Sequence, residues 1–249
     1  ILEVTDPESI AVCNLGSINL SKFVTGDKLD YEHLGKVART AVRYLDKVID
    51  KNFYPVKDSS KSNRYWRPVG LGIMGFQDVL FKLRIPFESG EAVRLAEAIQ
   101  EVIYFNALEA SWELAKELGP CPAFNETRTS LGFLQFDLWG AEPKLYPRIQ
   151  WKVLRERIRK DGIRNSLLIA IAPTATIASI SGCYESIEPQ VSNLFKRETL
   201  SGEFLQINEY LVEELKALNL WNQEMRDSIK RGEGSIQNIP GIPYSTKQV

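Results

Sequence analysis

The chain has 249 residues, 44% of them hydrophobic and 25% charged, which suits one large globular domain or a large part of one. A formal net charge of −1 excludes an overall basic field that would attract nucleic acid, and no apolar run approaches the roughly 20 residues that cross a bilayer. Three dispersed cysteines and a single histidine, His33, argue against a structural zinc site or a disulfide framework. We therefore expect a cytoplasmic protein with neither nucleic acid nor a membrane as its partner.

The first half of the chain is predicted to be mostly helical. Ile10–Asn19 reads as a strand that runs into a turn. Apolar residues at three- and four-residue spacing predict a helix from Asp30 to Lys51, and the polar stretch Lys57–Arg64 predicts a surface loop. Ser89–Leu118 predicts one long helix or a pair of helices, capped by Ser89 and stopped by Gly119-Pro120.

The second half alternates between helices and a strand. A helix is predicted from about Trp151 to Lys160, followed by a fully buried strand at Ser166–Ala172. Another helix starts near Thr176, and a last one is predicted from about Glu203 to Leu218, with Phe204, Ile207, Leu211 and Leu215 on one face. Strands separated by long helices indicate an α/β protein.

Gly70–Gly75 fits the dinucleotide-binding pattern G-x-G-x-x-G, which would suggest a nicotinamide dehydrogenase. That pattern requires a buried strand directly before the glycines, whereas Asn63–Pro68 is bulky and charged and ends in proline. Glycines that allow close packing of a helix are the better explanation.

The segment Pro173–Ser179 places small and hydroxylated residues where the predicted strand gives way to a helix. Free backbone N–H groups and hydroxyls at a helix start can bind an anion, most often phosphate. Simple capping of the helix by Thr174 or Thr176 explains the same residues equally well.

The cysteines give no pattern of their own. Cys13 lies in an apolar, strand-like segment, where an inert buried thiol is the default and a redox thiol the alternative. Cys121, between two prolines, is expected to be structural, and Cys183 has neither a base nor a second thiol next to it in the sequence.

Several ordered segments together resemble the large, catalytic subunit of class I ribonucleotide reductases. The resemblance covers nearly the whole chain and includes Ala11–Leu20, Arg67–Gly75, Leu108–Ser111, Glu113–Gly119, Gly162–Leu168, Ala172–Thr176, Glu185–Pro189, Leu200–Phe204 and Gly234–Gln237. It implies a fold made of a ten-stranded α/β barrel, of which residues 1–249 would be the helix-rich second half, truncated at both ends.

The resemblance also implies roles for particular residues. Cys13 matches a redox-active thiol that forms a disulfide with a cysteine outside this chain. Thr174, Ala175, Thr176 and Ile177 match the loop that holds the substrate diphosphate, although some members carry a hydroxylated residue in place of Ile177. Cys121 and Cys183 match no catalytic cysteine, and no metal ligand or cofactor is expected in this segment.

On this resemblance we expect the complete protein to reduce ribonucleoside diphosphates to deoxyribonucleoside diphosphates by thiyl-radical chemistry. The radical cysteine would lie immediately before Ile1, so these residues alone would be inactive. The expected partners are the remainder of the large subunit, a small subunit whose metal site generates a tyrosyl radical, and a thioredoxin or glutaredoxin. Two alternatives are a class II, adenosylcobalamin-dependent reductase and a half-barrel that only assembles with a partner without doing chemistry.

Overall fold

A computed structural model describes Val4, residues 7–199 and residues 202–249. Ile1, at the predicted truncation, and Leu200 and Ser201, in one of the segments that carry the resemblance, lie outside the described residues. The strands are β1 (Leu15–Asn19), β2 (Val24–Thr25), β3 (Lys28–Leu29), β4 (Gly70–Met74), β5 (Leu194–Thr199) and β6 (Gly202–Ile207).

Ten α-helices are described along the chain. Their bounds are α1 (Tyr31–Lys51), α2 (Lys57–Trp66), α3 (Phe76–Leu83), α4 (Gly90–Leu118), α5 (Gln135–Trp139), α6 (Arg148–Asp161), α7 (Ala175–Ser181), α8 (Glu209–Ala217), α9 (Gln223–Arg231) and α10 (Tyr244–Gln248). None of the helices in the described part of the chain is long and apolar enough to cross a membrane.

Three parallel segments form the central layer. β1 pairs with β4 from Leu15 opposite Gly70 to Asn19 opposite Met74, and Leu71 on β4 makes a parallel bridge to Ile169. β4 therefore lies between β1 and the segment around Ile169, and all five of its residues are buried. The chain is α/β and helix-rich, as predicted. The sheets described do not close, and the ten-stranded barrel stays a prediction.

The two long helices pack together beside this layer. Asp30 caps α1 by accepting the His33 N–H at 2.9 Å, and α1 buries Leu34, Ala38, Val42 and Ile49 along one face. Arg43 of α1 pairs with Glu113 and Glu117 of α4, at 3.0 and 2.9 Å. The predictions of α1 and of α6 ending near Gly162 are confirmed, and of the two alternatives for Ser89–Leu118 the structure shows a single helix, α4.

The predicted surface loop at Lys57–Arg64 is wrong, because these residues belong to α2. Its buried residues are Ser59, Ser62 and Asn63, so the inward face is polar. Asn63 exchanges side-chain hydrogen bonds with Asn14 and donates to the Tyr54 hydroxyl at 2.6 Å. A search for apolar periodicity misses a helix that is held to the core by hydrogen bonds.

The helix predicted from Glu203 to Leu218 is wrong in its first part. Gly202–Ile207 forms β6, which pairs antiparallel with β5, and α8 begins only after Asn208. The Asn208 side chain accepts from the N–H groups of Tyr210 and Leu211, which fixes the helix start. Phe204 is half exposed on the strand, so its spacing to Leu211 coincides with a helical period by chance.

The predicted strand at Ser166–Ala172 is confirmed only in part. The segment meets β4 through the single bridge at Ile169, and hydrogen bonds run from the N–H of Val69 to the Leu167 carbonyl and from the N–H of Ala170 to the Leu71 carbonyl. Leu168 is buried, but Leu167 and Ile171 are exposed. The segment is therefore not the fully buried strand that was predicted.

A separate hydrophobic cluster holds the C-terminal part together. It consists of Leu211, Leu215, Met225, Ile229, Ile236, Ile239 and Ile242. Arg84, at the C-terminal end of α3, pairs with Glu214 of α8 at 2.8 Å and so joins the C-terminal part to α3.

Candidate functional site

One face of the central layer packs against α1, and the glycines of β4 lie on the other face. A Cβ built on Gly16 would contact the Leu45 side chain of α1, whereas a Cβ on Gly70 would contact Leu15 and Ala170. A Cβ on Gly72 would lie 2.3 Å from the Ala170 carbonyl oxygen. Since side chains alternate along a strand, the face away from α1 carries Leu15 and the glycines of β4.

Cys13 precedes β1 and is exposed to solvent. Its neighbour Asn14 is buried and donates to the Asn63 side chain of α2 at 2.7 Å and to the Pro68 carbonyl at 2.8 Å. The default expectation of an inert buried thiol is therefore wrong for Cys13, and the thiol is accessible to a second cysteine or to a reductant.

The other two cysteines are poor nucleophiles in this structure. Burial raises the pKa of the Cys121 thiol to about 11 and that of the half-buried Cys183 thiol also to about 11. Because the thiolate is the reactive form, both thiols are largely unreactive near neutral pH.

Thr174 has an unusual conformation for a residue that begins a helix. Its φ of 58° places it in the left-handed region, and its side chain makes no capping bond to α7. Its Oγ1 instead accepts the backbone N–H of Ser186 at 2.8 Å. Ser186 itself has a φ of 45°, so two non-glycine residues in a rarely adopted conformation are joined by one hydrogen bond.

This arrangement keeps the Thr174 side chain from capping the first N–H groups of α7. The first N–H groups of a helix have no acceptor within the helix, and a Thr side chain at the cap usually accepts one of them. Here Thr174 is buried and turned toward Ser186, while Thr176 and Ile177 are exposed. Backbone N–H groups and the Thr176 hydroxyl can together donate to an anion.

Cys13 and the Thr174–Ile177 segment lie at opposite ends of the parallel central layer. Gly16 and Ile169 both align with Leu71; Cys13 lies three residues before Gly16, and Thr174 lies five residues after Ile169. At about 3.3 Å per extended residue, the offset along the strands is at most roughly 26 Å.

The glycine pattern at Gly70–Gly75 does not form a nucleotide-binding loop. Gly70 and Gly72 lie within β4, where they let the Ile169 segment approach closely, and Gly75 begins α3 with a φ of 76°. The predicted packing of a helix against these glycines is wrong, because Gly70 and Gly72 face Leu15 of β1 and Ala170 instead.

A buried charged network that the sequence reasoning missed fixes the ends of this layer. Arg67 donates to Asp46 at 3.0 Å and makes two bonds to Asp50 at 2.9 and 2.8 Å. Asn165 donates to Asp46 at 2.9 Å and to the Arg67 carbonyl at 3.1 Å, and its own Oδ1 accepts from Ser111. The sequence contained one signal for this network. Asp46 follows Leu34, Ala38 and Val42 at four-residue spacing on the buried face of α1, and a buried carboxylate needs a cation beside it.

The described residues contain no group of three or more His, Cys, Asp or Glu side chains that could hold a metal ion. The candidate site thus consists of an exposed thiol before β1 and the first turn of α7, to which Ala175, Thr176 and Ile177 of the predicted loop belong.

Comparison with known proteins finds a family model and several relatives that match the whole chain. A model of the family described as the ribonucleotide reductase barrel domain matches residues 1–249. The chain is 45% identical over 250 residues to a ribonucleoside-diphosphate reductase large subunit of Danio rerio, covering 100% of this chain and 31% of that protein. Identity is also 45% over 250 residues to the Caenorhabditis elegans large subunit, of which 32% is covered. For the Vaccinia virus large subunit the identity is 42% over 249 residues, again with 32% covered. In each case the match extends over the whole of this chain but only about a third of the relative.

Proposed function

This chain belongs to the ribonucleotide reductase barrel-domain family, and from that premise we propose that it forms part of the catalytic barrel of a ribonucleoside-diphosphate reductase large subunit. The complete protein would convert ribonucleoside diphosphates to deoxyribonucleoside diphosphates. Residues 1–249 would supply the second half of a ten-stranded barrel in a longer, cytoplasmic polypeptide.

Cys13 would supply one of the two thiols that reduce the substrate. In the net reaction two thiols lose two electrons and two protons and become a disulfide, while the 2′ C–OH bond takes up both and is replaced by C–H with release of water. The second thiol belongs to a cysteine outside this chain. The exposure of Cys13 supports this role, because the disulfide must be reset by exchange with an external dithiol such as a thioredoxin or glutaredoxin.

The Thr174–Ile177 loop would hold the substrate diphosphate, and the observation that carries this assignment is the orientation of Thr174. Its side chain is held by Ser186, which keeps it off the N-terminus of α7 and leaves that terminus to a phosphate. Ile177 can contribute its backbone N–H but no side-chain bond.

Two substitutions in the complete large subunit, assayed with its small subunit and thioredoxin, test these roles. We expect Cys13→Ser to reduce steady-state turnover by at least about 100-fold, because serine cannot form the disulfide. We expect Thr174→Val to raise the KM for the ribonucleoside diphosphate with little change in kcat, because it removes the hydroxyl that accepts from Ser186 and shapes the diphosphate-binding turn, which weakens ground-state binding.

Cys121→Ala is the matched control for Cys13→Ser, since it removes a thiol from outside the site and should keep turnover. Unchanged turnover in Cys13→Ser would overturn the redox role and favour the non-catalytic half-barrel. Turnover that needs added adenosylcobalamin and no small subunit would overturn the class I assignment and leave the fold unchanged.

A further inference from the structure

Asp78 connects two parts of the molecule through a single buried carboxylate. It lies on α3, where it is 6% exposed. Its Oδ2 accepts the backbone N–H of Tyr184 at 2.6 Å, and its Oδ1 accepts the Tyr210 hydroxyl of α8 at 2.9 Å. The Tyr210 ring also packs on Phe81, with ring centroids 5.3 Å apart. The redox and diphosphate-binding roles proposed above do not account for this cluster.

The same segment that Asp78 holds also holds Thr174. The Tyr184 carbonyl accepts the Gly75 N–H at 2.8 Å, so Tyr184 is fixed by α3 through both its N–H and its C=O. Two residues later, the Ser186 N–H donates to Thr174 Oγ1 at 2.8 Å. The path from Tyr210 to Thr174 therefore consists of hydrogen bonds and two intervening peptide units.

We propose that Asp78 and Tyr210 are positioning residues for diphosphate binding. By fixing Tyr184, they place Ser186 where it can keep Thr174 in its left-handed conformation and its side chain away from the start of α7. A residue keeps a sparsely populated conformation only when its surroundings hold it there. For Thr174, the hydrogen bonds that fix Tyr184 and Ser186 are part of those surroundings. The inference rests on the proposed function, since it requires the Thr174–Ile177 loop to bind the diphosphate.

The test uses the complete large subunit with its small subunit and thioredoxin. Tyr210→Phe removes one O–H donor and no ring atoms. We expect the KM for a ribonucleoside diphosphate to rise about three- to tenfold, the size of effect of one hydrogen bond, at nearly constant kcat. The inhibition constant of inorganic pyrophosphate, measured as a competitor of substrate, should rise by the same factor.

Two variants of Asp78 sharpen the test. Asp78→Ala removes both acceptors and should raise the same two constants further. In Asp78→Asn the amide oxygen can accept from Tyr184 and the amide NH2 can donate to the Tyr210 oxygen, so most of the lost affinity should return. If Asp78→Ala does not fold, the KM and the pyrophosphate inhibition constant of Tyr210→Phe and Asp78→Asn still test the inference.

Tyr146→Phe is the matched control, because it also removes one tyrosine hydroxyl, the acceptor of a 3.1 Å bond from Asn106, and should leave KM unchanged. A merely structural role would lower the active fraction, and hence kcat, at unchanged KM; that result, or no effect at all, would overturn the inference. An increased KM in Thr174→Val with an unchanged KM in Tyr210→Phe overturns this inference alone. An unchanged KM in both variants overturns the diphosphate assignment itself.

Discussion

Gly72 of β4 lies directly against the backbone of the Ile169 segment. A Cβ there would lie 2.3 Å from the Ala170 carbonyl oxygen, a backbone atom that cannot rotate away. We expect Gly72→Ala to lower the free energy of unfolding by roughly 1–3 kcal/mol, the usual range for overpacking a well-packed core. Urea unfolding of the complete large subunit, followed by tryptophan fluorescence, measures the loss.

Gly16→Ala provides the control in the same layer. Its Cβ would lie 3.5 Å from the Leu45 side chain, an ordinary van der Waals contact. A strand position with room for a methyl group should tolerate alanine, so this variant should unfold like the wild type. Equal unfolding midpoints for the two variants would show that the Ile169 segment can move away from β4.

Single residues of the candidate site differ in how far the sequence could reveal them. Cys13 and Thr174 were proposed from local motifs and the family resemblance, and their roles stay predictions. Asp78 and Tyr210 could not be proposed, because they are 132 residues apart and only the folded chain brings them together. The exposure of Cys13 was likewise hidden, since an apolar segment predicts burial unless the packing around it is known.

At the scale of elements, prediction succeeded where side chains repeat with one period. The apolar spacing of α1 and the caps at Asp30 and Ser89 were sufficient, because a single amphipathic face against the core determines such helices. It failed for α2, whose inward face is serine and asparagine, and for β6, which is stabilised by pairing with β5 rather than by burial. Neither hydrogen-bonded burial nor strand pairing leaves a hydrophobic period in the sequence.

A buried group of charges joins α1 to the residues that follow α2 and α6, with Arg67 paired to Asp46 and Asp50, and Asp46 paired also to Arg164. The Arg67 and Asp46 side chains are 5% and 2% exposed. We expect Arg67→Ala to lower the free energy of unfolding by roughly 3–5 kcal/mol, because it removes the nearer cation of the buried Asp46 carboxylate and leaves only Arg164, at 3.6 Å. The control is Arg43→Ala, which breaks a 34% exposed pairing with Glu113 and should lose less than about 1 kcal/mol.

Acid should reduce the difference in unfolding free energy between the wild type and Arg67→Ala. Hydrogen bonds from Arg67 hold the pKa of Asp50 below its ordinary value, so the bond to Asp50 stabilises the folded state fully above the unfolded pKa and is lost as the pH falls through the folded one. The wild type and Arg67→Ala should therefore approach each other below about pH 4. A difference that stays constant down to pH 2 would show that Asp50 contributes nothing through its charge.

For the whole molecule, the arrangement of strands raises the question of what lies beyond β1. β4 has neighbours on both sides, whereas within the described part of the chain β1 has only β4. An exposed edge strand offers unpaired N–H and C=O groups to another chain segment. In the proposed barrel that segment would be a strand of the first half, contributed by the rest of the large subunit.

Backbone amide exchange can decide whether this edge is closed. The Asn14 carbonyl accepts from Gly70, and in a parallel pair alternate residues face each edge, so Gly16 and Ile18 face β4 while Leu15 and Ser17 face away. If the complete subunit closes the barrel at β1, the amide protons of Leu15 and Ser17 should be protected as strongly as those of Gly16 and Ile18. Residue-resolved hydrogen exchange on the complete subunit measures all four. Fast exchange confined to Leu15 and Ser17 would mean that β1 remains an open edge, and the closed ten-stranded barrel would then be wrong for this protein.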